Sequence, residues 1–181
     1  MRTLKPCLFL LAVVIGTLVG CSTMSTKAAN VSGSIRTSLD HAGFKDVSVS
    51  QDRDKGVVTL GGNVATDSDK SQAASIAQTI AGTQVVSNQI AVVPPGEASD
   101  AKKVNSELDK GIDSNLAAAL IQEKVADTVK YSVNNHVVTL TGKIDSQSNR
   151  ARAEKIALAV PNVEQVVNEL QVKGQKATSS K

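Results

Sequence analysis

"VVTLGGNV" runs from Val57 to Val64, and "VVTLTGKI" runs from Val137 to Ile144, 80 positions further on. Laid out without a gap, residues 57–93 match residues 137–173 with twelve of 37 positions identical. Leu60/Leu140, Gly62/Gly142, Ala73/Ala153, Ile76/Ile156, Val86/Val166 and Asn88/Asn168 are among them. Chance does not produce this, so the chain carries two copies of one unit. Each copy has about 65 residues, near the lower limit for an independent core.

Working outward, each copy reads as helix, hairpin, helix, strand. In copy one, Val31, Ile35, Leu39 and Ala42 fall on one face of a first helix, and "NLAAALIQEKV" (115–125) takes that part in copy two. Val47 and Val49 alternate, turn at Asp54–Gly56 and return through Val58 and Leu60; Val129, Tyr131 and Val133 do likewise around an Asn-Asn turn. Thr66 and Ser146 are N-caps of a second helix, and Asp69 stands at capping-box spacing from Thr66. Ala73, Ile76, Ala77 and Ile80 form its apolar stripe, which Ala153, Ile156, Ala157 and Val160 repeat; Gly82 and Pro161 end the two helices. A last strand places Val86, Ile90 and Val92, or Val166, Leu170 and Val172, on one face. The expected class is α+β: two tandem α-β-β-α-β domains, each a three-stranded mixed sheet with two helices on one face. The other sheet face has little to cover it, which predicts association between the copies or with a partner.

The segments outside the copies are simpler. Arg2 and Lys5 precede an apolar run, Cys7–Val19, that is short of the roughly 20 residues a membrane span needs and fits a signal peptide. It ends in "LVGC" at Cys21, which resembles a bacterial lipobox; an ordinary secretory signal with an accidental Cys is the plainer alternative. Cys7 would leave with the signal, and an exported chain with one remaining thiol is odd unless that thiol is used. The lipobox resemblance implies N-acyl and S-diacylglycerol groups on Cys21, and several buried acyl chains anchor firmly where one is marginal. Ser22 at the next position resembles an outer-membrane address, facing the periplasm. The organisation expected is a signal over 1–20, acylated Cys21 and a tether over 21–30, domain one over 31–94, a linker over 95–108 around Pro94, Pro95 and Gly96, domain two over 109–173, and a polar tail over 174–181.

Composition excludes several functions. Aromatic residues make up 2% of the chain, leaving no stacking platform for bases or ligands. The formal charge of +3 comes from 20 basic and 17 acidic residues; without Arg2 and Lys5 the balance is 18 to 17, too neutral for a nucleic-acid binder.

The pattern "VVTLxG", a polar loop, an "AxxIA" helix and "VxNxLxV" resembles the BON (bacterial OsmY and nodulation) domain, here as "VVTLGG", "AASIAQTIAG" and "VSNQIAV", then "VVTLTG", "EKIALAVPNV" and "VNELQV". The resemblance covers both copies and is similar to dual-BON outer-membrane lipoproteins and periplasmic osmotic-stress proteins. It implies a non-enzymatic role at phospholipid surfaces in support of the outer-membrane barrier under stress. The family usually has Gly-Val before the last strand; here copy one has Gly82-Thr83 and copy two Asn162-Val163, so the hydrophobic contact of copy one is expected to be lost.

No catalytic or metal site and no cofactor beyond the acyl groups is expected. His41 ends a helix, His136 sits in a hairpin turn, and both read as solvated. Gly61–Gly62 lacks the flanking glycines of a phosphate loop; Gly62 and Gly142 read instead as sharp strand exits. Asp52/Asp54 and Asp67/Asp69 fit turns and caps; Asn88 and Asn168, on the apolar face by parity, fit amides satisfying backbone groups, with a ligand contact as the alternative.

The copies differ where lipid could be met. Asn63, Lys70, Gln72 and Ser75 become Lys143, Arg150, Arg152 and Lys155, and the first helix of copy two carries a wide stripe including Leu116, Leu120 and Ile121 beside Lys124. These eight copy-two residues form the expected phospholipid-binding face, with apolar insertion and basic residues near anionic headgroups. The rival reading is a solvated basic face and a helix buried between the copies. At the level of function, the rival is an adaptor for envelope assembly proteins, or an osmotic-stress stabiliser. Oligomeric state is not legible.

Overall fold

The structure, a computed structural model, describes residues 27–173; the signal, Cys21 and the 174–181 tail lie outside the described residues. Copy one is built as α1 (Ser32–His41), β1 (Val47–Asp52), β2 (Val57–Val64), α2 (Asp67–Ala81), β3 (Val85–Asn88) and β4 (Ala91–Val92). Copy two repeats it as α3 (Ala98–Gln122), β5 (Val129–Asn134), β6 (Val137–Ile144), α4 (Gln147–Leu158), β7 (Gln165–Asn168) and β8 (Gln171–Val172). β1 pairs antiparallel with β2, and β3 and β4 pair parallel with it; β5 to β8 do the same around β6. The expected class holds, with the last strand divided. The division falls where Asn88 and Asn168 turn their side-chain oxygens to the backbone N–H groups of Ile90 and Leu170.

Local chemistry explains the elements. Thr66 Oγ1 accepts from the Asp69 N–H, and Ser146 Oγ from that of Asn149, as capping requires. Asp52 Oδ1 accepts from the N–H groups of Asp54 and Lys55 and so shapes the first hairpin. The second hairpin closes in two residues, Asn135 and His136, both at positive φ, the tight form favoured between twisted strands. Gly82 after α2 and Asn162 before β7 both have positive φ. Val163 packs on its core while Thr83 is exposed, so copy one lacks that contact.

Three features depart from the expected organisation. The helix of copy two begins at Ala98, inside the segment read as linker, and runs 25 residues; only Val93 to Glu97 lie between β4 and that helix, and nothing after Gly96 breaks it. Ala42 is exposed at the end of α1 rather than on its buried face. Gly62 and Gly142 are not strand exits: β2 and β6 continue two residues beyond them. Both have positive φ, and a Cβ there would overlap the carbonyl oxygen of Asp46 or Thr128 where the preceding loop crosses the strand. The glycines permit that close approach.

One core lies under each helix pair. Ile35, Leu39, Val58, Leu60, Ala73, Ala77 and Ile90 fill the first; Ile112, Leu116, Leu120, Val138, Leu140, Ala153, Ala157 and Leu170 fill the second. On the opposite sheet faces Val57, Val137 and Val167 are buried together, with Val85 against them. The copies therefore cover part of each other's open face.

Candidate functional site

The seam between the copies is closed by polar groups as well as valines. Gln165 Oε1 accepts from the Asn88 N–H at 2.9 Å, and its Nε2 donates to the Val86 carbonyl at 2.7 Å. One amide thus satisfies two outward backbone groups of β3 and blocks that edge from pairing elsewhere. Lys55 meets Glu169 at 2.6 Å, and the corresponding positions of the other copies also meet: Asn135 Nδ2 donates to the Gln89 carbonyl at 2.8 Å. The reciprocal exchange of positions 55/135 and 89/169 gives the seam an approximate twofold character. Glu164 receives Lys70 at 2.6 Å and His136 Nδ1 at 3.1 Å. Burial opposes ionisation of Glu164, but hydrogen bonds from Lys70 and His136 outweigh it and hold the carboxyl below the usual range. His136 is not the solvated turn residue expected, since only 16% of its side chain is exposed. That expectation failed because the seam is a tertiary feature.

Beside the seam, α3 and the hairpin of copy two form one wall of a groove of about 980 Å³, with Asn63, Ala91 and Val93 of copy one opposite. Its lining is mainly amide, hydroxyl and charged side chains, and Asp109 within it accepts the N–H groups of Asn135 and His136.

The residues expected to meet lipid separate into three groups. Leu116 and Leu120 are 0% and 1% exposed and belong to the core, so they correct the expected face. The stripe is wide because α3 packs on both β5 and α4. Arg150 is also buried, donating to the Asn168 carbonyl at 2.9 Å from inside the domain. Its hydrocarbon and guanidinium serve the fold. Asn168 in turn donates to the Arg150 carbonyl and to Glu154, which fixes it as a structural amide.

Ile121, Lys124, Arg152 and Lys155 form the second group. Ile121 is 67% exposed. Arg152 of α4 pairs with Glu123 at the end of α3, and Lys155 is exposed one turn further along α4. Lys143 stands apart, exposed in a small cleft with Lys55 and Glu169 at the seam.

The helix register, ambiguous in sequence, is fixed by equivalent hydrogen bonds. Phe44 N–H donates to Leu39 O and Val125 N–H to Leu120 O. Leu39 therefore matches Leu120, and Arg36, Asp40 and Gly43 match Ala117, Ile121 and Lys124. In copy one Arg36 and Asp40 are an ion pair on the helix surface; in copy two the same i, i+4 positions are apolar. Ala117 belongs to the wide stripe legible in the sequence, but its match to Arg36 is visible only once the register is known. Tyr131 borders the same helix, its hydroxyl donating to the Asp113 carbonyl at 3.3 Å.

Among the described residues no group of His, Cys, Asp and Glu is placed to hold a metal ion, and no helix is long and apolar enough to cross a membrane.

Two α-β-β-α-β units with this motif set define a tandem-repeat class, and the comparisons give its name: the BON domain family matches residues 27–94 and 103–174, so the chain belongs to that family. It is similar to osmotically-inducible protein Y of Escherichia coli (strain K12), 32% identical over 137 residues, covering 75% of this chain and 67% of the relative. Among solved structures, the C-terminal domain of CdsD, a structural protein of the type III secretion system of Chlamydia trachomatis, aligns with a TM-score of 0.32 and 14% identity over 77% of this chain, which spans 66% of that one. A second structure of CdsD aligns with a TM-score of 0.35 and 14% identity over 76% of this chain and 90% of the other.

Proposed function

We propose that this chain is a non-catalytic envelope protein that engages anionic phospholipid through copy two and supports outer-membrane integrity under stress. The observation that carries this is the exchange of Arg36, Asp40 and Gly43 for Ala117, Ile121 and Lys124. An ion-paired face becomes an apolar one, with Lys124 beside it and Lys155 on the neighbouring helix. Neither lysine has an ion-pair partner among the described residues. Such a patch inserts Ile121 shallowly and sets cations at the headgroups. Acylation of Cys21 would hold the chain on the periplasmic side of the outer membrane and bring the patch to lipid. The name of the relative supports a role in osmotic stress.

Residues 22–181 should co-float with anionic vesicles and not with neutral ones, and Ile121→Asp with Lys124→Glu should abolish this. Binding to neither vesicle rejects lipid recognition. The polar groove between the copies then favours the adaptor reading, with an envelope assembly protein as occupant. Loss of membrane fractionation in Cys21→Ala tests the anchor.

A further inference from the structure

The first three turns of α3 run ahead of the copy-two core, whose contacts with this helix begin at Ile112. Along them Ala101, Val104, Leu108 and Gly111 recur at three- and four-residue spacing, the seam pattern of paired helices. Val104 is 56% exposed, and with Leu108 it lines a shallow groove of about 520 Å³ bordered by Asp100, Lys103 and Glu107.

We propose that this stripe is a self-association surface on which a second copy of the chain lays the same helix antiparallel. Charge selects both the occupant and its direction. Asp100, Lys103, Glu107 and Lys110 follow one flank of the stripe and alternate in sign. Antiparallel pairing reverses one copy, setting Asp100 against Lys110 and Lys103 against Glu107, since both pairs sum to 210. Every charge on the flank then meets its opposite, twice over by symmetry. A parallel pair would carry this flank on opposite sides of the interface and leave its charges unmatched. The apolar positions fall within two residues of that register: Val104 with Leu108 and Ala101 with Gly111 each sum to 212, and the small residues there let the backbones approach. Within one chain only Glu107 and Lys110 pair, at 3.0 Å, and both are well exposed, so exchanging that contact for one between chains costs little. The flank is charge-balanced and gives an anionic bilayer no net attraction, which separates this stripe from the patch around Ile121.

Three turns per copy are less than the roughly 800 Å² per partner of stable complexes, so the pair is weak and concentration-dependent. Sedimentation of the full chain in detergent should show a monomer–dimer equilibrium. Val104→Asp should be monomeric with an unchanged circular-dichroism melt. Lys103→Glu should weaken the dimer by about tenfold, and Lys103→Glu with Glu107→Lys should restore it, because the swapped flank is again self-complementary. Mild oxidation should trap a dimer of the Lys103→Cys, Glu107→Cys double variant, with the native chain as blank. Trapping by Lys103→Cys alone would overturn the antiparallel arrangement. A monomer at every concentration with no trapping would overturn the surface.

Discussion

Lys55 and Glu169 are 114 positions apart and belong to different copies, yet Nζ and Oε2 lie 2.6 Å apart, with the carboxylate side chain only 10% exposed. This contact ties the first hairpin of copy one to the break in the last strand of copy two.

Removing one partner leaves the other partly buried and unpaired. Lys55→Ala should destabilise the chain by about 1–3 kcal/mol in urea denaturation, and the Lys55→Ala, Glu169→Ala double variant by less than the sum. Additive losses would mean that the pair does not couple the copies. The hydrogen bond from Lys55 to Glu169 holds the ammonium above the usual lysine range against the opposing effect of burial. Its contribution is therefore full below the ordinary lysine value and fades as pH rises through the elevated one.

Glu164 titrates in the other sense. Its carboxyl is held low, so the stabilisation from Lys70 and His136 is present above the ordinary carboxylate value and lost as pH falls through the depressed one. Melting temperature measured from about pH 5 down to about pH 2 should fall less steeply in Glu164→Gln than in the native chain.

Gly62→Ala and Gly142→Ala each combine positive φ with overlap on a backbone carbonyl. Each should cost about 2–4 kcal/mol, measured by denaturant midpoint. Gly33→Ala, with open space around it and an ordinary helical backbone, should be neutral or stabilising and serves as the control.

Leu120 and Ile121 are adjacent with opposite roles. Leu120→Ala should cost about 2–5 kcal/mol as a core cavity. Ile121→Ala should change stability by less than about 0.5 kcal/mol while reducing co-flotation with anionic vesicles.

Lys124 holds φ at 55 where copy one has Gly43. Lys124→Gly should raise stability by about 1 kcal/mol in the same denaturation experiment. A Lys retained at a strained position on the proposed lipid patch is what a stability-for-function exchange predicts, and vesicle binding of this variant should fall as stability rises.

The repeat, the element order, the caps at Thr66 and Ser146 and the family were legible because each is written in local spacing. Period two at Val47 and Val49, an apolar stripe at three- and four-residue spacing from Ala73 to Ile80, and a cap three residues ahead of the N–H it accepts need no distant partner. The site was less legible. Arg150 looked like a surface cation beside Arg152, but its guanidinium reaches inward to Asn168, a contact between a helix and a later strand. Leu116 looked exposed because the width of a stripe does not reveal how many neighbours surround it. Ile121 carried its meaning only against Asp40, and that match depended on hydrogen bonds at the ends of α1 and α3.

What the sequence determined by itself was therefore two α-β-β-α-β units of one family, because intrinsic periodicity and capping act over a few residues. Only the tertiary structure decided which cations remain at the surface, that Val57, Val85, Val137 and Val167 are closed between the copies, and that Gly62 and Gly142 admit a crossing loop. Burial and pairing depend on groups brought together from across the chain, and no short stretch encodes them alone.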